Sequence, residues 1–184
     1  MVVRARNRAA ARESNLSVPV SAPGKVVAIV MWRRVDTPGH DVCRLLRKGT
    51  NWVLDGTTIF FEARGPCVLH YRVMCDPEFN TTSARVEGWI GRKPFLAQIR
   101  ADAQHRWRLN GESVPAGRGC MHVDINVSPS TNLLSLRRLQ PRLREKIAVR
   151  AAWLAFPHAR LLPLEQTYER IEALCDGPYL ELFA

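Results

Sequence analysis

Four side chains that could bind a polar ligand fall close together early in the sequence. Arg34, Asp36, His40 and Asp41 lie within eight residues, around the turn-forming segment 36–39. Arginine can hold a phosphate or carboxylate through two parallel hydrogen bonds, and carboxylates accept hydrogen bonds from hydroxyl groups. The alternative is a turn stabilised by hydrogen bonds that the aspartates accept from the backbone. Catalysis would also need a nucleophile with a nearby base, and the sequence nominates none, so we expect binding without catalysis.

Two groups of cysteine and histidine residues have the types, but not the spacing, of metal ligands. One group is Cys67, His70 and Cys75, and the other is Cys120 and His122. Zinc needs four ligands that converge on one point, usually from tight turns. These residues fall on predicted strands, where Cys67 and His70 point to opposite faces because an odd number of positions separates them. The sequence therefore predicts no metal site and no cofactor, with buried cysteines acting as small apolar side chains.

The chain is strongly basic, with 27 lysines and arginines against 17 acidic residues and a net charge of +10. Six basic residues fall in one short span: Arg137, Arg138, Arg142, Arg144, Lys146 and Arg150. Such a surface can attract nucleic acid or anionic lipid. Proteins that bind single strands interleave aromatic side chains, and none occurs between positions 133 and 150. We expect Arg137 and Arg138 to contact an anionic headgroup, or the span to be a solvated basic loop, rather than a nucleic-acid site.

The rest of the chain is predicted to be organised around residues 119–139. Positions 120–127 alternate between polar and apolar types, which is the period of a half-buried strand. Ser128 and Pro129 then have the types preferred at the N-cap and first position of a helix. Four leucines follow at helical spacing on more than one face: Leu133, Leu134, Leu136 and Leu139. Because such a helix needs cover from several sides, we expect a sheet that curls around it.

Short apolar segments separated by turn residues fill most of the remaining chain, which is typical of an all-β protein. The predicted strands are 26–35, 42–46, 51–54, 57–63, 67–74, 83–88, 95–99, 102–110, 147–156 and 161–164. Asp55-Gly56 is the strongest hairpin-turn sequence in the chain. Residues 165–174 fit either a helix or a strand, and we favour strands joined at Asp176-Gly177 because the sheet needs a closing hairpin.

Length and composition indicate one folded domain, residues 25–184, preceded by a basic tail. Residues 1–24 combine arginine and alanine with a following Ser/Pro/Val segment, so we expect them to be disordered. No apolar run approaches the ~20 residues that a membrane-spanning helix needs. Five cysteines, an odd number without regular spacing, indicate a reducing compartment and therefore a cytoplasmic protein.

Five separated motifs occur in an order that resembles one known family. They are Trp32–Asp36 with Gly39–Asp41; Tyr71, Val73 and Cys75-Asp76; Trp107, Leu109 and Asn110-Gly111; Cys120, Asp124, Pro129, Thr131-Asn132 and Leu136–Leu139; and Ala151–Trp153, Phe156-Pro157, Pro163-Leu164, Gln166 and Tyr168. Together they resemble the glycolipid-binding family of bacterial proteins, formerly catalogued as a domain of unknown function. The resemblance covers residues 28–183.

The resemblance implies a long antiparallel sheet that spirals as a β-roll around a single short α-helix, similar in shape to periplasmic lipoprotein carriers. It also implies a homodimer. This sequence departs from the family pattern at three positions, with His122 in place of an acidic residue, Ser135 in place of proline and Phe79 in place of tryptophan. A histidine at 122 would make binding pH-sensitive if that position touched the ligand. Ser135 is expected to make the helix more continuous.

We therefore expect non-catalytic binding of an amphiphile, a glycolipid or related lipid, whose acyl chains enter an apolar interior between sheet and helix. Polar and aromatic residues at the mouth would hold the headgroup, since tryptophan can cover a sugar ring and arginine can grip phosphate. The expected ligand-binding residues are Trp32, Arg34, His40, Asn132, Arg137, Arg138 and Trp153. The alternative is that the helix fills the interior, and that the arginine-rich surface binds a polyanion or a protein.

Overall fold

The computed structural model describes residues 24–170. Nearly all of the predicted basic tail, the positions 171–174 and the hairpin expected at Asp176-Gly177 lie outside this range. Those three expectations therefore stay predictions.

Eight strands in chain order form one antiparallel sheet, in which each strand pairs with the next, and three further strands form a second sheet in the order β11-β10-β9. The first sheet contains β1 Lys25–Arg33, β2 Gly39–Lys48, β3 Asn51–Glu62, β4 Gly65–Cys75, β5 Thr81–Ile90, β6 Lys93–Ala101, β7 Trp107–Leu109 and β8 Glu112–Val114. The second contains β9 His122–Asp124, β10 Lys146–Ala155 and β11 Arg160–Glu169, and the helix α1 is Asn132–Leu139. The predicted fold class, mainly β with a long antiparallel sheet and one short helix in the described range, is confirmed.

Alternation along the strands decides which side chains enter the core. In β4, Cys67, Leu69, Tyr71 and Val73 are buried while the residues between them are wholly or partly exposed, as predicted. The inward residues of β2–β7 form one apolar cluster with the central stretch and with β10 and β11. The concave face of the long sheet therefore wraps around residues 120–134.

The central stretch is buried more completely than its period predicts. Both sides of residues 120–127 are buried, except at Met121 and Asn126: the apolar side belongs to the main core cluster, and on the polar side Asp124 is hydrogen-bonded to Gln166 of β11. His122 and Asp124, expected on a solvated face, are therefore buried. The half-buried interpretation was wrong because other parts of the chain, Gln166 of β11 among them, cover the polar side of this alternation.

The helix begins and ends close to where the sequence predicts. The Ser128 side chain accepts a hydrogen bond from the Ser130 amide (3.1 Å), which caps a short 3₁₀ turn at Pro129–Thr131 before α1 starts. The helix ends at Leu139, and its C-cap Gln140 has a left-handed backbone directly before Pro141. Leu134 is fully buried, whereas Arg137 and Arg138 in the last turn are exposed.

The predicted hairpin at Asp55-Gly56 was wrong, because β3 runs through both residues without a break. The Asp55 carboxylate lies 2.8 Å from Arg44 on β2 and 3.6 Å from Arg72 on β4, so it bridges both neighbouring strands. At Gly56, a β-carbon would overlap the ring of Tyr71 on β4. The glycine thus serves close packing between strands rather than a turn.

The C-terminal part of the described range is a long hairpin. β10 and β11 pair in register from Lys146 opposite Glu169 to Ala155 opposite Arg160. Residues 165–169 are therefore strand, which confirms the choice of strand over helix as far as the described range extends. Within residues 24–170, no helix is long and apolar enough to cross a membrane.

Candidate ligand pocket at the mouth of the roll

A pocket of about 370 Å³ opens where the end of β1 meets the central stretch and β11. Its volume lies in the range of small-molecule sites. The residues that line it are Trp32, Arg33, Arg34, Val35, Asp36, Asp41, Asp124, Asn126, Val127, Ser128, Pro129, Asn132 and Gln166. The lining thus combines one aromatic residue, Trp32, with carboxylates, amides and two arginines.

The β1–β2 hairpin supplies one wall of the pocket. Trp32 is paired in register with Asp41, so both side chains lie on the concave face. Arg34 is held by a two-point contact with Asp36, at 2.7 and 3.0 Å, and its guanidinium lies 4.8 Å from the centre of the Phe60 ring. The hydrogen bond from Arg34 lowers the pKa of the exposed Asp36 carboxyl to about 2. This corner therefore presents a fixed, ionised pair to solvent.

Asp41 forms a buried part of the same wall, with only 2% of its surface exposed. Its Oδ1 accepts a hydrogen bond from the Tyr71 hydroxyl (2.9 Å), and Tyr71 Oη lies 3.0 Å from Ser128 Oγ. Burial raises the pKa of Asp41, although the bond from Tyr71 opposes this. Asp41 Oδ2 is buried without a partner. An unpaired carboxylate oxygen is costly to bury, and a hydroxyl donor from a ligand would relieve that cost.

Asp124 anchors the opposite wall. Its Oδ2 accepts a hydrogen bond from Gln166 Nε2, and its Oδ1 accepts one from the backbone N–H of Asn126, both at 2.7 Å. Burial raises the pKa of Asp124. The Tyr168 hydroxyl lies 3.1 Å from both Asn132 Oδ1 and Gln166 Oε1. Because the Tyr168 hydroxyl has one proton, it can donate to only one of these two oxygens.

Of the seven expected ligand residues, the structure brings three into this pocket: Trp32, Arg34 and Asn132. His40 lines, with Arg34, a more open neighbouring pocket of about 430 Å³ formed by residues 33–40. Arg137, Arg138 and Trp153 line neither pocket. Trp153 is half-buried and paired in register with Asp124.

The expected set omits Asp41, Asp124 and Gln166, which carry much of the polar lining. Asp41 belongs to the polar cluster recognised in the sequence, and its register with Trp32 is the signal that places it in the pocket. Asp124 lies on the polar side of the alternation in residues 120–127, and Gln166 has no local signal of its own.

The space between sheet and helix is filled by the chain itself. Val123, Ile125 and Leu134 are at most 1% exposed and belong to the main apolar cluster. Exposed apolar surface instead begins beside the pocket. Val30, which is 43% exposed, precedes Trp32 by two residues on the same face of β1, and exposed Ala28 continues that face. An aliphatic chain leaving the pocket has this strip available.

His122 lines neither pocket, so the structure offers no contact between this position and a ligand there. The residue is 2% exposed, and neither ring nitrogen has a hydrogen-bond partner. Burial, reinforced by the positive charge of Arg138, lowers the pKa of His122 to about 4, with weak opposition from the Phe79 backbone. The histidine is therefore neutral at physiological pH.

Residues 24–170 contain no group of three or more His, Cys, Asp and Glu side chains arranged to hold a metal ion. Cys67 points into the core, whereas His70 points to solvent with its Nδ1 2.9 Å from Thr57 Oγ1. The four cysteines in the described range, Cys43, Cys67, Cys75 and Cys120, are free and buried. Burial raises the pKa of the Cys75 thiol to about 12, which makes it unreactive.

Fold and pocket together define a β-roll protein with a polar pocket at the mouth of the roll. Residues 29–180 match the model of the family described as "Putative glycolipid-binding", and the chain belongs to that family. A crystal structure of a DUF1089 family protein from Pseudomonas aeruginosa has a similar fold, with a TM-score of 0.64 and 23% identity over 83% of this chain and 85% of that one. A search of curated proteins found no match.

Proposed function

We propose that this protein binds an amphiphile with a hydroxyl-rich headgroup, a glycolipid or related lipid, without chemistry. One observation carries the proposal: Trp32, two buried carboxylates and the Asn132 and Gln166 amides line a single pocket. Carboxylates and amides can each exchange hydrogen bonds with neighbouring hydroxyls, and a tryptophan face suits the apolar side of a sugar ring. The family description points in the same direction.

The acyl chain is proposed to lie outside the packed interior. The exposed strip of Ala28 and Val30 begins beside Trp32, so a headgroup in the pocket would direct its chain along β1. Burial of this apolar surface would contribute roughly 25 cal/mol per Å². Head and chain would then contact one continuous surface of the roll.

Titration with n-octyl glucoside, followed by NMR or calorimetry, tests the pocket. Trp32→Ala is expected to weaken binding by roughly tenfold, since a buried aromatic anchor commonly contributes 1–2 kcal/mol. Trp153→Ala is the matched control because Trp153 lies outside the pocket, and it should leave the affinity within about twofold. Val30→Glu should weaken octyl glucoside but leave free glucose unaffected.

Equal losses from the Trp32 and Trp153 variants would remove the pocket from the proposal. The recovered ligand also matters, because Asp41 and Asp124 line one pocket and glycosidases use paired carboxylates. Release of glucose from octyl glucoside would replace non-catalytic binding with hydrolysis. Intact ligand is the expected result.

We also propose a cytoplasmic location, which the four free, buried thiols support because oxidising compartments favour disulfides. The homodimer stays an expectation from the family. Sedimentation velocity of the full chain would measure it directly.

A further inference from the structure

The convex face of the long sheet carries a continuous apolar band. Across strands β3–β6, Ile59 pairs with Val68, Val68 with Trp89, and Trp89 with Pro94. Phe61 lies one step further along β3, opposite Pro66. Register partners in a sheet share a face, so these side chains form one row on the side away from the core.

The largest members of this band are well exposed. Ile59 is 54%, Phe61 56%, Trp89 41% and Leu96 45% exposed. Leu96 lies two residues from Pro94 and thus diagonal to Trp89. Scattered apolar residues are normal on a surface, but a contiguous band of this kind marks a binding surface.

Basic residues rim one end of the band. Arg64 lies in the β3–β4 turn, Arg92 in the β5–β6 turn and Lys93 at the start of β6, and all three are exposed. The two turns touch: the Gly91 amide donates to the Pro66 carbonyl at the start of β4 (2.9 Å), and a β-carbon at Gly91 would overlap the Arg64 carbonyl. Nearby Glu62 accepts a hydrogen bond from the Arg64 backbone amide through Oε2 (2.9 Å).

The ligand pocket lies at the same end of the long sheet as this basic rim. The Phe61 amide donates to the Pro38 carbonyl (3.1 Å), which joins the start of the band to the β1–β2 turn. That turn contains Arg34 and Asp36 of the pocket wall. A flat partner on the apolar band and its basic rim would therefore lie beside the pocket mouth.

We propose that this surface, the apolar band with its rim of Arg64, Arg92 and Lys93, docks onto an anionic lipid bilayer. Aromatic and aliphatic side chains enter the interfacial region while cations contact lipid phosphates, and tryptophan favours this depth. A second copy of the chain fits the surface less well, because a two-fold contact through this end would bring the same cations together. Docking would let the pocket take an amphiphile directly from the membrane.

Flotation with vesicles of phosphatidylglycerol and phosphatidylcholine at low ionic strength tests the proposal on the full chain. The double variant R64E/R92E is expected to lower the partition coefficient by at least roughly tenfold, because each basic residue near an anionic surface contributes about 1 kcal/mol. The control R142E/R144E makes the same change in net charge at exposed sites between α1 and β10, outside the long sheet, and should reduce partition by less than about threefold.

A second pair of variants tests the apolar component. Phe61→Ser is expected to reduce partition severalfold. Leu143→Ser, at an apolar residue that is equally exposed but lies outside the sheets, should not. Pure phosphatidylcholine vesicles should bind the protein weakly. These vesicles contain no sugar headgroup, so failure of the pocket to bind octyl glucoside would leave this result unaffected.

Three outcomes would overturn the docking surface. They are no partition onto anionic vesicles at low salt, equal loss from the rim and control variants, and a solution dimer that Phe61→Ser dissociates. Equal loss would mean that overall charge, including Arg4, Arg6, Arg8 and Arg12, attracts the vesicles. Dissociation by Phe61→Ser would assign the band to a second copy.

Discussion

Replacing Gly56 with alanine is expected to lower the free energy of unfolding by about 3 kcal/mol, as for other overpacked core positions. Elsewhere in a strand the same change would be neutral or stabilising, because alanine loses less backbone entropy on folding. At Gly56, however, the added β-carbon would overlap the Tyr71 ring and press on the Val42 carbonyl. Both groups belong to neighbouring strands, so the sheet has little room to relax.

The Gly56→Ala substitution should also alter the ligand pocket. Tyr71 donates to Asp41 and lies beside Ser128, and both of these residues line the pocket. A displaced Tyr71 ring would therefore move one polar wall, and octyl glucoside binding should weaken along with stability.

Urea denaturation of a double-mutant cycle separates the contribution of the Tyr71 ring from that of the Val42 carbonyl. In a Tyr71→Leu background, the hydroxyl and far ring atoms are absent, so Gly56→Ala should cost roughly half as much or less. A cost below about 1 kcal/mol in the wild-type background would contradict the packing argument, since the average point substitution costs about that much. An equal cost in both backgrounds would assign the effect to the Val42 carbonyl alone.

The strands of the long sheet could be predicted because burial of one face makes apolar and polar residues alternate within each strand. The alternation in β4 placed Cys67, Leu69, Tyr71 and Val73 correctly, since each alternate position meets the same core. The hairpin at Asp55-Gly56 was predicted wrongly because hairpin preference is a local property. The glycine is needed here because the ring of Tyr71, fifteen positions away, packs against it. No window of sequence around Gly56 contains that information.

The pocket was predictable in part for a similar reason. Trp32, Arg34 and Asn132 fall in motifs that resemble the family. His40 and Asp41 are neighbours on one strand, so only one of them could face the pocket, and the register with Trp32 selects Asp41. The choice of His40 followed from residue type without that register.

Asp124 and Gln166 illustrate what sequence patterns leave open. Their hydrogen bond joins residues 42 positions apart in the chain. It depends on β9 pairing in parallel with β10 and on β10 pairing antiparallel with β11. Local periodicity specifies that these segments are strands but not which strands are neighbours, so the wall that they build could not be derived from it.

Replacing His122 with glutamine is expected to make the protein less sensitive to acid. The folded pKa of about 4 lies below the ordinary value of 6.5 because burial and Arg138 disfavour the charged ring. Between these two pH values the unfolded chain binds more protons than the folded one. The stability that neutral His122 contributes is therefore complete above about pH 6.5 and is lost as the pH falls towards 4. The full loss amounts to about 3 kcal/mol.

The measurement is the difference in unfolding free energy between wild type and H122Q across pH 4 to 7.5. Burial raises the pKa values of Asp41 and Asp124, which gives the opposite trend, but both proteins contain these groups and their effect cancels. Charges that act on His122 also include Asp76 and His105. If the unfolding free energies of the two proteins changed in parallel with pH, His122 would have the same pKa in the folded and unfolded states, which would contradict the prediction.

Arg138→Gln provides the decisive companion variant. Arg138 is exposed in the last turn of α1, so its removal should leave packing intact while withdrawing a positive charge from the buried ring. The folded pKa of His122 should then rise towards 6.5, and the loss of stability in acid should become smaller than in wild type. An unchanged acid profile in R138Q would show that burial, rather than the charge of Arg138, causes the low pKa of His122. His122→Glu is expected to reverse the sign of the Arg138 effect, because the same arginine would attract a carboxylate instead of opposing the charge on the ring.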